Sequence, residues 1–246
     1  SDQRRLRHIV PESRVRTYDM REVINTLCDI DSVLEIRAEF GVGIITALVR
    51  IEGVPMGLIA NNPAHLAGAI DSPASDKGAR FLQLCDAFEL PILSLMDCPG
   101  MMVGPAVEQQ ALVRHCARLF NIGGNVTVPM FGFVLRKAYG LGVQAMCGGS
   151  SMFPSFTVAW PTGEFAGMNI EGAVKLGYRR DLEAQQDAAQ RLAQYNKMVE
   201  QAYDRAKAIN SSTHFGIDDV IDPADSRRWI VRGLTSLPPE CMPGAW

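Results

Sequence analysis

Short apolar runs alternate with segments of helical periodicity along much of this chain, and that alternation restricts the possible folds more than any other feature. Ile44–Ile51 and Pro91–Met96 are apolar runs of strand length, each bounded by turn residues. Between them, Ala79, Leu82 and Phe88 fit one face of a helix with a period of about 3.6 residues. Strands that alternate with helices in this way are typical of an α/β protein.

The other elements follow from capping residues, from glycine and proline stops, and from the same two periodicities. Asp19 is a predicted N-cap with Glu22 three residues later, and Ser72 is a predicted N-cap followed by proline. In chain order the sequence predicts a helix from Met20 to about Asp29, strands at Val33–Phe40, Ile44–Ile51 and Met56–Ala60, a helix from Ser72, a strand at Pro91–Met96, a helix from Gly104 to about Ile122, a strand at Val126–Leu135, a turn at Arg136–Gly142, a helix start at Val143–Cys147, a strand at Thr157–Trp160, and helices at Ala166–Leu176, Asp181–Asn210 and Ser226–Leu237.

One domain is the simplest division of the chain. No internal repeat, low-complexity tract or linker divides 1–246, and a chain of 246 residues is long enough to bury one α/β core. We expect that core at about 18–180 and a helical carboxyl-terminal segment at about 181–246. The predicted helix Asp181–Asn210 is long and polar, so we expect it to lean on a partner and the chain to form a homo-oligomer.

Composition excludes several classes of function. The chain has 24 Lys+Arg and 27 Asp+Glu residues, a net charge of −3, and no basic cluster among aromatic residues, so we expect no nucleic-acid partner. Its apolar runs reach about eight residues, too few to cross a bilayer, and its first residues lack the apolar core of a secretory signal. The six cysteines and four histidines lack metal-site spacing, which favours buried free thiols in a reducing cytoplasm and no metal.

Two glycine-rich turns follow predicted strands, at Asp97–Gly104 and at Tyr139–Gly142. Such turns present backbone N–H groups, and two of them on neighbouring strands could stabilise one developing negative oxygen. The alternative is that the glycines only permit tight turns. Pattern alone leaves both interpretations open.

Few side chains near these turns suggest chemistry. Asp97 and Glu108 are candidate general bases, although a capping or ion-paired structural role is more typical of carboxylates at such positions. Arg136-Lys137 could hold a carboxylate or phosphate, or could be a solvated charge pair. His115 lies within a predicted helix, where a packed or rim position is more typical than catalysis. Ser150 and Ser151 lack the nucleophile-elbow pattern of a serine hydrolase.

Several motifs, in order along the chain, give the sequence a family resemblance. It resembles the carboxyl-terminal half of the carboxyltransferase component of biotin-dependent acyl-CoA carboxylases over roughly Ile9 to Asp222. The stretches Tyr139–Gly149, Thr157–Gly163 and Glu171–Arg180 are most similar to single-chain members that fuse all components. The motifs that carry the resemblance are Tyr18-Asp19-Met20-Arg21, Gly57-Leu58-Ile59-Ala60-Asn61-Asn62-Pro63, Asp76-Lys77 with Ala79-Arg80-Phe81, Cys85-Asp86-Ala87-Phe88, Asp97-Cys98-Pro99-Gly100 with Gly104 and Glu108, Arg136-Lys137-Ala138-Tyr139-Gly140-Leu141-Gly142, and Trp160-Pro161.

The resemblance implies a crotonase-like fold, a spiral of repeated ββα units. In that family two such domains work together: the amino-terminal domain chiefly holds the acyl-CoA substrate, and the carboxyl-terminal domain chiefly receives biotin. The active site forms between domains of different protomers. The resemblance therefore implies four kinds of partner: an amino-terminal carboxyltransferase domain, a biotin carboxyl carrier, a biotin carboxylase and further copies of the chain.

The implied reaction moves a carboxylate from carboxybiotin, held on the carrier, to the α-carbon of an acyl-CoA. The implied site stabilises the biotin oxyanion through the backbone N–H groups of Met101, Leu141 and Gly142. Gly100, Tyr139 and Gly140 are the implied cofactor-binding residues around them. No protein nucleophile or metal is needed in this chemistry.

The sequence departs from the family pattern where the acyl group would be selected. Leu141 stands between Gly140 and Gly142 where the family often has a smaller residue, which keeps the donor but narrows the pocket. Val143-Gln144 also replaces residues that influence acyl-chain choice in some members. The alternatives to a carboxyltransferase half are a freestanding crotonase-like acyl-CoA hydratase or hydrolase, and a non-catalytic docking or assembly domain.

Overall fold

A computed structural model describes residues 1–214 and 216–237. One sheet of eight strands forms the centre of the fold. The strands are β1 (Leu34–Glu35), β2 (Ile44–Ile51), β3 (Val54–Asn61), β4 (Ile92–Cys98), β5 (Met130–Tyr139), β6 (Phe156–Ala159), β7 (Glu164–Ala166) and β8 (Asp219–Val220).

The sheet combines an antiparallel hairpin with a parallel centre. β1, β2 and β3 pair antiparallel, and the tight turn between β2 and β3 is made at Gly53, whose φ of +79° suits glycine. From β3 onward β4, β5, β6 and β8 continue in parallel. β5 is long enough to pair with β6 along its first half and with β7 at its end. The carboxyl-terminal ends of β4 and β5 therefore lie side by side at the same end of the sheet.

Helices cover both faces of this sheet. They are α1 (Leu6–Ile9), α2 (Met20–Leu27), α3 (Ser72–Ala87), α4 (Pro105–Glu108), α5 (Leu112–Gly123), α6 (Gly140–Met146), α7 (Ile170–Gly177), α8 (Arg179–Ala184), α9 (Ala188–Ala206), α10 (Ala208–Thr213) and α11 (Ser226–Ser236), with short 3₁₀ turns at Gln3–Arg5, Leu66–Gly68 and Pro223–Asp225.

The strand period of two divides the core into two layers. Leu93 and Leu95 of β4 face α1, α2 and α11, whereas Ile92 and Met96 face α3, α5 and α6. The side chains of both layers are almost fully buried, which accounts for the continuous apolar runs of β4 and β5. This two-sided burial confirms the α/β class expected from the sequence.

Several element boundaries differ from the sequence-based expectation because tertiary contacts decide them. The strand predicted at Val126–Leu135 begins at Met130 and continues through the predicted turn to Tyr139, where β7 supplies its pairing partner. The helix predicted from Gly104 is interrupted at Ala111, which has a φ of +57°. The first long helix is capped by Asp71, whose carboxylate accepts from Ala74 N–H at 2.9 Å, rather than by Ser72.

The predicted helix Asp181–Asn210 is three shorter helices. Asp187 accepts a hydrogen bond from Ala189 N–H at 2.9 Å and starts α9, because an aspartate favours a cap over a helix interior. Lys207 is extended, with φ −56° and ψ 141°, and forms a bridge with Glu164. The helix α9 packs against α7, and Leu192 on it is 60% exposed. Self-association through this helix stays a prediction.

Residues beyond 180 also contribute to the core, since β8 extends the sheet and Ile230 and Leu234 of α11 are buried against it. The division of the chain at about residue 180 stays a prediction. No helix of the described residues is long and apolar enough to cross a membrane. The five described cysteines are buried free thiols, as expected, and Cys241 lies outside the described residues.

Lys77 is an unusual member of the core. It lies on α3, it is 1% exposed, and no ion pair to it occurs within the described residues. Burial disfavours its charged form and lowers the pKa of Lys77 to about 8, although Glu35 nearby acts in the opposite direction. An unfolded Lys77 therefore binds a proton more tightly than the folded residue does. Lys77 therefore destabilises the fold by its full amount below pH 8. This destabilisation decreases as the pH rises from about 8 to about 10.5, because the folded residue loses its proton first.

We predict that Lys77→Met raises the stability of the protein at pH 7 and that this advantage shrinks by pH 10. The variant removes the buried charge and keeps a flexible side chain of similar length. Urea unfolding of both proteins at the two pH values measures the difference. A variant whose advantage is equal at pH 7 and pH 10 would show that Lys77 titrates normally in the fold.

Candidate active site at the ends of β4 and β5

A buried ion pair joins the ends of the two central strands. Asp97 of β4 is fully buried, Arg136 of β5 is 3% exposed, and the guanidinium Nη2 lies 3.0 Å from Asp97 Oδ2. Arg136 also donates to the carbonyls of Ser13 and Arg16, at 3.2 and 2.8 Å. Each charge is therefore paired and hydrogen-bonded, which a buried ion pair requires.

The second oxygen of Asp97 is also occupied. Lys137 N–H donates to Oδ1 at 3.1 Å, and the Lys137 ammonium lies 3.7 Å from the same oxygen while donating to the carbonyl of Ala67 at 3.0 Å. The Asp97 N–H donates to the side-chain oxygen of Asn61 at 3.3 Å. These contacts connect β3, β4, β5 and the 3₁₀ turn Leu66–Gly68 at the same end of the sheet.

This geometry confirms the ion-paired structural role expected for Asp97 and corrects both interpretations of Arg136-Lys137. Asp97 is inaccessible and ion-paired, so it is a structural carboxylate and not a general base. Arg136 and Lys137 are neither a solvated pair nor free anion ligands, because their hydrogen-bonding groups are directed at Asp97 and at backbone carbonyls. Glu108 is exposed on α4, and the half-buried His115 of α5 contacts Asp76 of α3 at 2.8 Å. Neither lies in the turns.

The two glycine-rich turns touch each other. A β-carbon placed on Gly142 would lie 2.8 Å from the Cα of Gly100 and 2.5 Å from the Sγ of Cys98. Those distances are too short for any side chain, so glycine is required at position 142 for the two backbones to approach. Gly100 itself has a φ of +129°, a conformation that other residues rarely adopt.

The two turns in contact carry backbone N–H groups that make no hydrogen bond within the described residues. Ile70 pairs with Gly100 and Met102, through Ile70 N–H to Gly100 O at 3.1 Å and Met102 N–H to Ile70 O at 2.9 Å. The N–H groups of Met101, Leu141 and Gly142 have no hydrogen-bond acceptor within the described residues. The arrangement predicted from the sequence, two turns with free donors on neighbouring strands, is therefore geometrically available.

Two contacts on the other side fix the second turn. Gly140 has a φ of +56°, and a β-carbon there would lie 2.8 Å from the carbonyl oxygen of Gly167. The side chain of Tyr139 is 3% exposed, and its hydroxyl donates to Glu164 Oε2 at 2.9 Å. Tyr139 can therefore face the turns only through its backbone. Leu141, in contrast, is 61% exposed.

The neighbouring thiol is not a nucleophile. Burial raises the pKa of the Cys98 thiol to about 12, so the sulfur stays protonated and packs beneath Gly142. No group of three metal-ligating side chains occurs in the described residues. The chemistry that this arrangement supports is stabilisation of a negative oxygen by backbone dipoles.

Sequence reasoning missed Glu164 and Arg14. Glu164 is 7% exposed and carries an ion pair with Arg14 at 2.7 Å in addition to the hydrogen bond from Tyr139. The two charged residues are 150 positions apart, so no local spacing relates them. The one available signal was a lone acidic residue that ends a turn, Pro161-Thr162-Gly163-Glu164, directly before a short apolar run.

The sequence profile of the carboxyl transferase domain family matches residues 1–238. The propionyl-CoA carboxylase beta chain of Roseobacter denitrificans is 37% identical over 97% of this chain and 45% of its own length. The chain thus spans about half the length of the curated relatives it matches.

Solved structures agree with these sequence matches. A single-chain, multi-domain long-chain acyl-CoA carboxylase is 53% identical with a TM-score of 0.87, over 94% of this chain and 23% of that one. The transcarboxylase 12S structure, described as a hexamer, is 35% identical with a TM-score of 0.88, over 96% and 45%. These neighbours confirm the crotonase-like fold implied by the motifs.

We predict that Asp97→Asn lowers the free energy of unfolding by about 3–5 kcal/mol, because it leaves the Arg136 guanidinium buried without its counter-charge. Glu183→Gln is the matched control, since it breaks an ion pair with Arg179 whose side chains are 63% and 73% exposed. That pair is on a helix surface, and its loss should cost at most about 0.5 kcal/mol. Urea denaturation compares the two variants. Equal costs would contradict the central role given to Asp97.

Proposed function

The chain belongs to the carboxyl transferase domain family and corresponds to the carboxyl-terminal half of its carboxyltransferase relatives; from this we propose that it forms the biotin-side half of a carboxyltransferase site. The reaction is transfer of a carboxylate from carboxybiotin to the α-carbon of an acyl-CoA. The observation that carries the proposal is the contact between Gly100 and Gly142, which brings two turns with free N–H groups together.

The free donors fit a ureido ring, whose oxygen accepts hydrogen bonds and whose flat shape needs close approach to the backbone. When bound, carboxybiotin would supply the carboxyl group as CO2, and its ureido group, left with the electron pair of the broken N–C bond, would accept the α-proton of the acyl-CoA. In this proposal the N–H groups of Met101, Leu141 and Gly142 donate to the ureido oxygen, and Gly100, Tyr139 and Gly140 shape the surface around it. One such donor typically lowers a barrier by about 3–4 kcal/mol.

The buried ion pair under the turns supports this role by keeping them rigid. A donor lowers a barrier most when it is already oriented and needs no reorganisation. Asp97 and Arg136 hold the two strand ends, and the close packing at Gly142 leaves the second turn no room to shift toward the first. The residues therefore orient the ligand and supply dipoles, and no side chain of this half takes a proton.

The same geometry argues against a freestanding acyl-CoA hydratase or hydrolase. Such an enzyme needs a carboxylate that reaches the substrate. Of the two candidates, Asp97 is buried in its ion pair, and Glu108 lies on α4, outside both turns. A purely docking domain would not require the close approach of Gly100 and Gly142 or the N–H groups without acceptors, so these two observations favour the catalytic proposal.

The proposed partners follow from what this half lacks. The acyl-CoA is held by an amino-terminal carboxyltransferase domain, and a biotin carboxyl carrier loaded by a biotin carboxylase brings the carboxyl group. Homo-oligomerisation would join the two halves of different protomers. The side chains of Val103, Leu141 and Met168 are 85%, 61% and 44% exposed close to the turns in sequence, as expected of residues that another domain covers.

The acyl chain is left open among the groups that the relatives' names contain, which include acetyl, propionyl, methylmalonyl, geranyl and long-chain acyl. Val143 is buried, so of the Val143-Gln144 pair only Gln144 is exposed to influence the choice. We also propose a cytoplasmic location, supported by five buried cysteines that remain free thiols.

We predict that the chain alone transfers no carboxylate, because half of the proposed site is missing. Purified chain is incubated with carboxybiotin and acetyl-, propionyl- and long-chain acyl-CoA, with and without an amino-terminal carboxyltransferase half. Carboxylated product should form only in the mixture. Product formed by the chain alone would contradict the division of labour proposed between the two halves.

We predict that Leu141→Pro in the assembled enzyme slows carboxyl transfer about 10²–10³-fold, because proline deletes one donor N–H. Proline is tolerated in the first turn of a helix, and the preceding Gly140 has no β-carbon to collide with the ring. Leu141→Ala is the matched control: it removes the same exposed side chain, keeps the N–H, and should slow transfer only mildly.

Circular dichroism establishes that both Leu141 variants are folded before rates are compared. A folded Leu141→Pro enzyme that is as fast as Leu141→Ala would show that the turn at Tyr139–Gly142 is only structural. Substitution of Gly142 is a poorer test of the donors, since even alanine there would collide with Cys98 and Gly100.

A further inference from the structure

Glu164 is a buried carboxylate whose two oxygens are both committed. It begins β7 beside the end of β5, with Lys137 as its strand partner and Lys207 as its bridge partner on the other side. Its Oε1 accepts from Arg14 Nε at 2.7 Å, and its Oε2 accepts from the Tyr139 hydroxyl at 2.9 Å. A carboxylate that is 7% exposed is costly unless paired in this way.

Tyr139 is a dependable donor to Glu164. Burial, followed by the nearby charge of Glu164, raises the pKa of the Tyr139 hydroxyl well above its ordinary value. The hydroxyl therefore keeps its proton at any pH at which the enzyme works. Tyr139 directly precedes Gly140, so the position of its ring determines where the chain enters the turn.

Arg14 closes the arrangement from the surface. Its guanidinium lies 3.7 Å above the ring of Tyr203 on α9, and its side chain is 45% exposed. The ring of Tyr203 keeps Arg14 over Glu164, while the Tyr203 hydroxyl donates elsewhere, to Glu171 at 2.5 Å. Two separate parts of the chain, at Arg14 and Tyr139, thus hold the Glu164 carboxylate, and Tyr203 holds Arg14.

We infer that Glu164 is a positioning residue for carboxyl transfer: through Tyr139 it sets the backbone of the Tyr139–Gly142 turn, and with it the direction of the Leu141 and Gly142 N–H groups. The inference rests on the proposed function, since it assigns a support to the same donors. Gly140 lies so close to the carbonyl of Gly167 that no side chain would fit, and the hydrogen bond from Tyr139 to Glu164 holds the residue that enters the turn. A small misplacement of a reacting geometry can slow an enzyme about 10²-fold.

The test compares Tyr139→Phe with Tyr203→Phe in the assembled carboxyltransferase. Both variants delete one phenolic hydroxyl that donates to a glutamate, and both keep the ring, so they match chemically. Tyr139→Phe should lower kcat about 10-fold or more and leave KM for the acyl-CoA unchanged, because that substrate is held by the other half. Tyr203→Phe should leave both constants unchanged.

A second measurement is independent of activity. Hydrogen exchange followed by mass spectrometry reports the protection of the backbone amides in α6, which begins with this turn. These amides should exchange faster in Tyr139→Phe than in the parent, and at the parent's rate in Tyr203→Phe. Glu164→Gln, which keeps an acceptor for Tyr139, should retain more kcat and more protection than Glu164→Ala.

Each outcome decides one of two questions. Unchanged protection of α6 in Tyr139→Phe, or equal effects of both tyrosine variants, would overturn the positioning role of Glu164. A parent enzyme that transfers no carboxylate would contradict the proposed function, and the exchange data would still decide whether Glu164 positions the turn.

Discussion

Asp97 and Arg136 place opposite charges side by side inside a parallel sheet, and the architecture of the site depends on that contact. The pair joins β4 to β5 where both strands end, and Arg136 also holds the chain at Ser13 and Arg16 through their carbonyls. A buried pair is tolerated only when its geometry is well satisfied, so it acts as a rigid reference for everything attached to it. Because the ion pair fixes the ends of β4 and β5, it also fixes where the turns that follow these strands begin.

The close approach of Gly100 and Gly142 is the second constraint on the positions of the two turns. It is possible because position 142 has no side chain. Two backbones can come together only where neither carries a β-carbon on the facing side. Gly142 therefore does more than allow a tight turn, because a methyl group there would overlap the main chain of the facing turn, whereas Gly100 is required by its φ of +129°. The lack of a side chain brings the turn after β4 into contact with the turn after β5, and both turns carry N–H groups with no acceptor within the described residues.

The sequence predicted the layers of the fold better than the boundaries of its elements. Apolar runs such as Ile92–Cys98 are buried on both faces, so their composition alone predicts a strand. The end of β5, in contrast, is set by its pairing with β7, which comes about 25 residues later in the sequence. The turns of the site were predictable because glycine has few reasons to cluster after a strand. Arg136 was misjudged because a charged residue in a sequence carries no sign of whether its partner is water or another buried charge, whereas the ion-paired role expected of Asp97 is confirmed.

Glu164 and Arg14 were out of reach of sequence reasoning for the same physical reason. Their contact joins segments 150 residues apart, and nothing local to either residue requires the other. A site built on backbone dipoles has this consequence in general: the groups that face the ligand are main-chain atoms, which every sequence contains, and the side chains that matter lie behind them as supports. Asp97, Arg136 and Glu164 are such supports, all largely buried and all with their charges paired within the described fold.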